Sequence, residues 1–173
     1  NVEGITPLIP YDDLMNPNNI LLPRLEQKII WAADVSSMKT LFVDLDKYGK
    51  KIGILKLHID TFSDFSIENL LKLQDYKKKY NLLIWEDRKF ADIGYIMDRQ
   101  IKNSAYCYQD WVDIFTIHGI AGNESVQYII NENPQFKWIL VGQLSSTDNL
   151  ITQNYTEKCK EIYKSNINIV GMV

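Results

Sequence analysis

The chain has 173 residues, of which 46% are hydrophobic, and its formal net charge is −3. This length suffices for one domain with a sizeable core, and the composition argues against an intrinsically disordered chain. The charge balance gives no indication of nucleic-acid binding, and no apolar run is long enough to span a bilayer. Cys107 and Cys159 lie far apart and form no metal-binding pair, which predicts a cytosolic protein without a metal site.

The N-terminal residues 1–20 contain three prolines and little periodicity, and they are predicted to form a loop or linker. A short helix at 22–27 then opens a domain that covers residues 21–173. Apolar runs predict six strands, at 28–33, 51–58, 82–85, 111–117, 136–142 and 167–173. Helical spacing and capping residues predict helices between them, at 36–47, 66–79, 93–106, 123–131 and 156–164.

This alternation of strands and helices is typical of a parallel sheet with both faces covered. The two candidate folds are a (β/α)8 barrel and an open, doubly wound sheet. Five predicted strands have polar residues at their C-terminal ends, at Asp34, Lys56–Asp60, Glu86–Lys89, His118 and Gln143–Ser146. A ring of such residues favours the barrel, whereas an open sheet usually has a glycine-rich first turn, which is absent here. The 173 residues accommodate about six of the eight βα units.

Charged side chains concentrate around the third predicted strand. Side chains at i and i+2 share one face of a strand, so Asp87 and Lys89 are predicted to lie together and Arg88 to point away. By the same rule Lys56 lies with His58, and Asp92 follows over the same edge. Alternating lysines and aspartates satisfy one another's charge, so the pattern is equally consistent with a catalytic array and with a structural ion-pair network.

The segments EDRKFADIG (86–94) and LKLHIDTFSDF (55–65) resemble orotidine 5′-monophosphate decarboxylase, particularly the animal and fungal form. AADVSS (32–37), HGIAG (118–122) and LSSTDNLITQNYT (144–156) follow in the matching order. The resemblance extends from about residue 29 to residue 173. It implies a (β/α)8 barrel that decarboxylates orotidine 5′-monophosphate to UMP, in pyrimidine biosynthesis, without a metal or cofactor.

The resemblance also implies a role for individual residues. Lys89 would protonate C6, Asp87 would lie beside the departing carboxylate, and Lys56 would hold the array and reach the ribose. Asp92 would complete the array across the interface of a homodimer. The implied substrate-binding residues are Asp34, Lys56, Ile93 and Ser145.

Four side chains near these residues receive structural interpretations. His58 and His118 are read as structural hydrogen-bonding residues, and Trp85 and Trp138 as core packing.

Two departures from the family keep other readings open. Tyr95 and Ile96 stand where the family usually has Asn-Thr, which removes a hydroxyl from the implied dimer interface. The sequence also lacks the family's C-terminal phosphate-binding strands, which are expected in a longer native chain. An alternative is therefore a catalytically inactive barrel that serves in binding or assembly. A third reading is a metal-assisted sugar-phosphate lyase or synthase. A phosphoribosyltransferase domain before Asn1, as in the animal enzyme, is a further alternative for the native chain.

Overall fold

The computed structural model describes residues 29–173. The predicted loop at 1–20 and the predicted helix at 22–27 lie outside the described residues. The strands are β1 (Ile29–Ala32), β2 (Ile52–Leu57), β3 (Leu83–Phe90), β4 (Ile114–His118), β5 (Lys137–Val141) and β6 (Ile169–Met172). The α-helices are α1 (Met38–Tyr48), α2 (Ile67–Tyr80), α3 (Gly94–Lys102), α4 (Asn123–Glu132) and α5 (Gln153–Ser165).

The six strands form one parallel sheet in the order β1-β2-β3-β4-β5-β6. Each strand pairs with the next one along the chain, whereas a doubly wound sheet reverses its strand order at a switch point. The sheet is therefore a curled part of a (β/α)8 barrel, as the ring of polar strand ends predicted. All six carboxyl ends meet at one edge, which is where barrel active sites lie.

The described strands separate two apolar layers. The larger layer contains Leu55, Phe115 and Leu140 together with apolar side chains from every helix, so it lies between sheet and helices. The smaller layer contains strand residues alone, on the opposite, inner face of the sheet: Ile54, Trp85, Ile114, Ile139 and Val170. Burial on both faces explains why the strands are almost continuously apolar in sequence.

Serine residues cap the two helices that are predicted to begin near residues 36 and 66. The hydroxyl of Ser37 accepts a hydrogen bond from the Thr40 amide at the start of α1. The hydroxyl of Ser66 accepts one from the Asn69 amide at the start of α2. Each serine satisfies a backbone N–H that has no partner within its helix.

Other predicted boundaries were wrong. Helix α3 ends at Lys102 rather than continuing to residue 106, and Cys107 adopts a left-handed backbone conformation with φ of 49°. The chain turns there because aromatic side chains fill the core, and the Trp111 indole donates to the Tyr106 carbonyl at 2.7 Å. Helix α5 begins earlier than predicted, at Gln153, because Thr152 caps it through the Tyr155 amide.

Both tryptophans that the sequence assigns to the core are buried, Trp85 in the inner layer and Trp138 in the outer one. Within residues 29–173, no helix is long and apolar enough to cross a membrane.

Candidate active site

A polar layer lies directly above the inner apolar layer, at the carboxyl ends of β2, β3 and β4. Lys56, Asp87 and Thr116 each stand two residues beyond a member of the inner apolar layer on the same strand. Because strand side chains alternate between faces, all three point to the inner side of the sheet. The fold thus gathers three polar groups from strands that are distant in sequence.

Strand β3 bulges where it delivers its charges. Glu86 lies opposite Phe115, but the next pair in register is Phe90 with Ile117. Four steps on β3 therefore match two on β4, which makes room for two extra residues. Lys89 has a backbone φ of 53°, in the left-handed region that residues other than glycine rarely adopt.

The bulge corrects the simple alternation predicted from sequence. That prediction extended regular pairing through residues 86–89, with the strand itself ending at residue 85. The observed strand runs to Phe90, and Lys89 reaches Asp87 through an irregular backbone. Arg88 is exposed and points towards Asp60, with Nη1 3.8 Å from Oδ2. The expected proximity of Asp87 and Lys89 is confirmed, although its backbone cause is different.

Asp87 is the centre of the polar layer and is only 6% exposed. Its Oδ2 atom lies 2.7 Å from Lys89 Nζ, 3.0 Å from Lys56 Nζ and 3.5 Å from His58 Nε2. Its Oδ1 atom accepts a hydrogen bond from the Thr116 hydroxyl at 2.6 Å. One buried carboxylate therefore holds two ammonium groups at one point above the barrel interior.

The electrostatics of this cluster keep Asp87 ionised. Burial alone would raise its pKa, but hydrogen bonds from Lys89 and Thr116 and the charges of both lysines outweigh burial and lower the pKa. Burial and the neighbouring Lys89 charge lower the pKa of His118 at the end of β4, against a smaller opposing effect of Asp87. Two cations around one anion leave positive charge at the site, which suits an anionic ligand.

His58, which the sequence suggests is a structural hydrogen-bonding residue, lies at the margin of the cluster. Its Nε2 atom approaches the Oδ2 atom of Asp87 at 3.5 Å, at the outer limit of a hydrogen bond. The following residue, Ile59, is held from behind because its amide donates to Glu86 Oε2 at 3.0 Å. The first turn of the loop after β2 is thus anchored by Glu86.

The other sequence-predicted residues do not join Asp87 within this chain. Asp34 is exposed after β1, and Ser145 is exposed in the loop after β5. Asp92 and Ile93 are exposed before α3, and the Asp92 carboxylate accepts from the Ile93 amide at 2.8 Å. Among the described residues, neither Asp34 nor Asp92 forms an ion pair. All four residues nevertheless lie on the edge of the sheet that carries the polar layer.

Sequence reasoning missed two buried polar residues of this region, Thr116 and Glu86. Thr116 stands two residues before His118, so strand alternation alone would have placed both on one face. Glu86 faces the helices and is completely buried. Burial raises its pKa to about 8, against a smaller opposing effect of the hydrogen bond from Ile59. Because Glu86 precedes three charged residues, the sequence alone suggested one continuous charged segment and not a buried side chain on the outer face of the sheet.

No group of three or more His, Cys, Asp or Glu side chains in the described part of the chain is arranged to hold a metal ion.

Comparison with known proteins places these observations in a family. Residues 27–173 match the model of the "Orotidine 5′-phosphate decarboxylase / HUMPS family". The orotidine 5′-phosphate decarboxylase of Pachysolen tannophilus is 35% identical over 156 residues, which covers 87% of this chain and 58% of the relative. That of Candida tropicalis is 38% identical over 138 residues, covering 76% and 52%. Uridine 5′-monophosphate synthase of Bos taurus is 32% identical over 139 residues, covering 79% and 29%. The chain thus spans about half the length of the matched decarboxylases.

Solved structures confirm the fold. The crystal structure of orotidine 5′-monophosphate decarboxylase from Methanocaldococcus jannaschii superposes with a TM-score of 0.66 at 20% identity, over 82% of this chain and 67% of that one. A second structure of that enzyme, complexed with the inhibitor BMP, gives a TM-score of 0.64 at 19% identity, over 80% and 63%. At such identities the likeness establishes the (β/α)8 barrel architecture alone.

Proposed function

The chain belongs to the orotidine 5′-phosphate decarboxylase / HUMPS family, and we propose that the full-length protein converts orotidine 5′-monophosphate to UMP. The observation that carries this proposal is the contact of Lys56 and Lys89 with one buried carboxylate oxygen of Asp87. Relatives at 32–38% identity named for this activity, or as UMP synthase, support the choice of substrate.

In the proposed reaction the bond between C6 and the carboxylate carbon breaks, and its electron pair stays on C6 as CO2 leaves. Lys89 lies beside the developing negative charge and donates an Nζ proton to C6, after which solvent reprotonates the amine. A cation fixed in advance stabilises this charge without reorganising during the reaction. The Asp87 carboxylate supplies that fixation through its 2.7 Å contact with Lys89.

Asp87 would also lie close to the substrate carboxylate and disfavour the bound substrate relative to the transition state. Lys56 would reach from Asp87 to the ribose. Asp34 and Ser145, on the loops after β1 and β5, would bind the ribose and the pyrimidine, and Ile93 would line the same opening. The exposure of these three residues in the described chain leaves them accessible to a ligand.

We further propose that the protein is a homodimer in which Asp92 contributes to the partner's site. Asp92 is exposed and makes no ion pair with the other described residues, and the neighbouring Ile93 and Tyr95 are 57% and 54% exposed. Large exposed apolar side chains beside an unpaired carboxylate suit an interface better than open solvent. A cytosolic location stays a prediction of the sequence.

The decisive experiment follows the ultraviolet absorbance of orotidine 5′-monophosphate after addition of the purified full-length protein. We expect turnover with the wild type and with Lys78→Ala, an exposed lysine on α2, but none with Lys89→Ala. Equal turnover in Lys89→Ala would refute the assigned role of Lys89. Absence of turnover in every variant would favour the inactive barrel, and magnesium-dependent activity on a hexulose phosphate would favour the sugar-phosphate lyase.

A further inference from the structure

We propose that Thr116, itself oriented by Trp85, is a positioning residue that fixes the Asp87 carboxylate so that its other oxygen can hold both lysines. The inference rests on the proposed decarboxylase function for its kinetic consequence, but the hydrogen-bond relay itself can be measured without turnover.

The three residues form a continuous buried relay across β3 and β4. The Trp85 indole donates from Nε1 to the Thr116 hydroxyl oxygen at 2.7 Å. The Thr116 hydroxyl donates to Asp87 Oδ1 at 2.6 Å. Trp85 is 2% exposed and Thr116 is fully buried, so water does not compete for either bond. Both bonds join side chains whose residues are about thirty positions apart along the chain.

The direction of the relay is fixed by chemistry. An indole N–H can only donate, so the Thr116 oxygen must accept from Trp85. The hydroxyl hydrogen is then free to point at Asp87, and an ionised carboxylate can only accept. A proton on Oδ1 would have to donate to the threonine oxygen instead, and the threonine hydrogen would then lose its partner in a buried site. The relay therefore favours the ionised form of Asp87.

The two oxygens of the Asp87 carboxylate have different partners. Thr116 binds Oδ1, whereas Lys56 and Lys89 both bind Oδ2. Rotation about the last torsion of an aspartate is broad and roughly two-fold, so a carboxylate without a fixed oxygen samples many orientations. Anchoring Oδ1 holds Oδ2 towards the lysines. A displacement of Lys89 from the reacting carbon by even 1 Å is expected to lower the rate strongly.

Lys56 also lies near Trp85, the first residue of the relay. Its ammonium lies 5.7 Å from the centroid of the Trp85 ring, within the range of a cation–π interaction. Trp85 thus contacts the array twice, through its ring face to Lys56 and through its N–H to Thr116. Replacing this tryptophan by phenylalanine would keep an aromatic face but remove the N–H together with the five-membered ring of the indole, so that some packing is lost as well.

The kinetic test compares Thr116→Val, which preserves shape but removes the hydroxyl, with Thr116→Ser, which restores it. We expect Thr116→Val to lower kcat about 10- to 100-fold while KM changes much less, as for loss of a bond to a charged group. Its acid limb of kcat/KM should move to higher pH because Asp87 protonates more easily. Thr116→Ser should recover most of the rate, and Trp85→Phe should give an intermediate loss.

Three results would overturn the inference. One is a wild-type rate in Thr116→Val. Another is a pH profile that stays in place while kcat and thermal stability fall together, which indicates a merely structural threonine. The third is a loss in Thr116→Ser as large as that in Thr116→Val, because the hydroxyl would then be irrelevant.

A second measurement keeps the relay testable if the protein proves inactive. In a ¹H–¹⁵N spectrum, the Trp85 indole resonance, assigned through Trp85→Phe, should move upfield in both Thr116→Val and Asp87→Asn. The Trp111 indole bonds the Tyr106 carbonyl instead and serves as an internal control that should stay in place. An unchanged Trp85 resonance in both variants would refute the relay, whatever the turnover. Absent turnover with a shifted resonance would refute the proposed function alone.

Discussion

Asp87 and Asp98 are both buried aspartates that contact lysine, yet their surroundings differ. Asp98, 7% exposed on α3, accepts from the Asn133 amide at 2.8 Å and pairs with Lys102 one helical turn away. That group joins α3 to α4 on regular helical backbone. Asp87 instead binds two lysines and lies on a bulged strand, β3. One of these lysines, Lys89, has a left-handed backbone conformation. Burial of a carboxylate does not distinguish the two, whereas excess positive charge and backbone strain do.

Neutralising each aspartate separately tests whether the two clusters differ in function. We expect Asp87→Asn to lower turnover by about 100-fold or more, because the array loses the anion that orders both lysines. Asp98→Asn should leave kcat and KM near wild type. Steady-state kinetics on both variants decides the matter. Equal losses of activity would mean that the two clusters do not differ in function.

The next largest effect concerns Glu86, which is buried behind the site. Its pKa is raised to about 8 by burial, so the folded state binds a proton more tightly than the unfolded state. Stability should therefore be greatest below about pH 4.5 as far as this group is concerned, and fall as pH rises towards 8, by on the order of 5 kcal/mol. Glu86→Gln, which cannot ionise, should remove that decline.

Urea unfolding at intervals from pH 5 to 9 measures the Glu86 effect. The control is Glu68→Gln, an exposed position in the first turn of α2. A wild type and a Glu86→Gln variant with parallel pH profiles would show that Glu86 does not bind a proton on folding.

Asp98 should matter for stability instead of rate. Asp98→Ala removes the partner of the buried Asn133 amide, which is expected to cost about 1–3 kcal/mol of unfolding free energy. Denaturant unfolding measures this change, with Lys102→Ala as a milder companion because that lysine is more exposed. An Asp98→Ala variant as stable as wild type would contradict a structural role for this cluster.

The smallest effect isolates the strain at Lys89. Lys89→Gly and Lys89→Ala both lack the ammonium group, but glycine adopts a φ of 53° without steric penalty. The glycine variant should be more stable than the alanine variant by about 0.5–1 kcal/mol, once the greater flexibility of unfolded glycine is subtracted. Comparison of their unfolding midpoints tests this. A more stable alanine variant would mean that the backbone relaxes after substitution.

The sequence predicted the order of strands and helices and the edge that gathers polar residues, because both follow from local periodicity. It also predicted that Lys56, Asp87 and Lys89 lie together. It did not predict the bulge after Glu86, since no glycine marks the left-handed position. The bond between Trp85 and Thr116 was equally hidden, because it depends on the register of β3 against β4. Helix boundaries failed where aromatic packing overrode periodicity, as after α3.

The left-handed backbone at Lys89 determines when the entropy of this side chain is lost. A free lysine side chain loses about 2 kcal/mol of rotamer entropy when it is held in one place. Here the bulge and the Asp87 contact confine it in the folded chain before any ligand arrives. The loss of Lys89 side-chain entropy therefore occurs when the protein folds. Ligand binding then retains a larger share of its interaction energy.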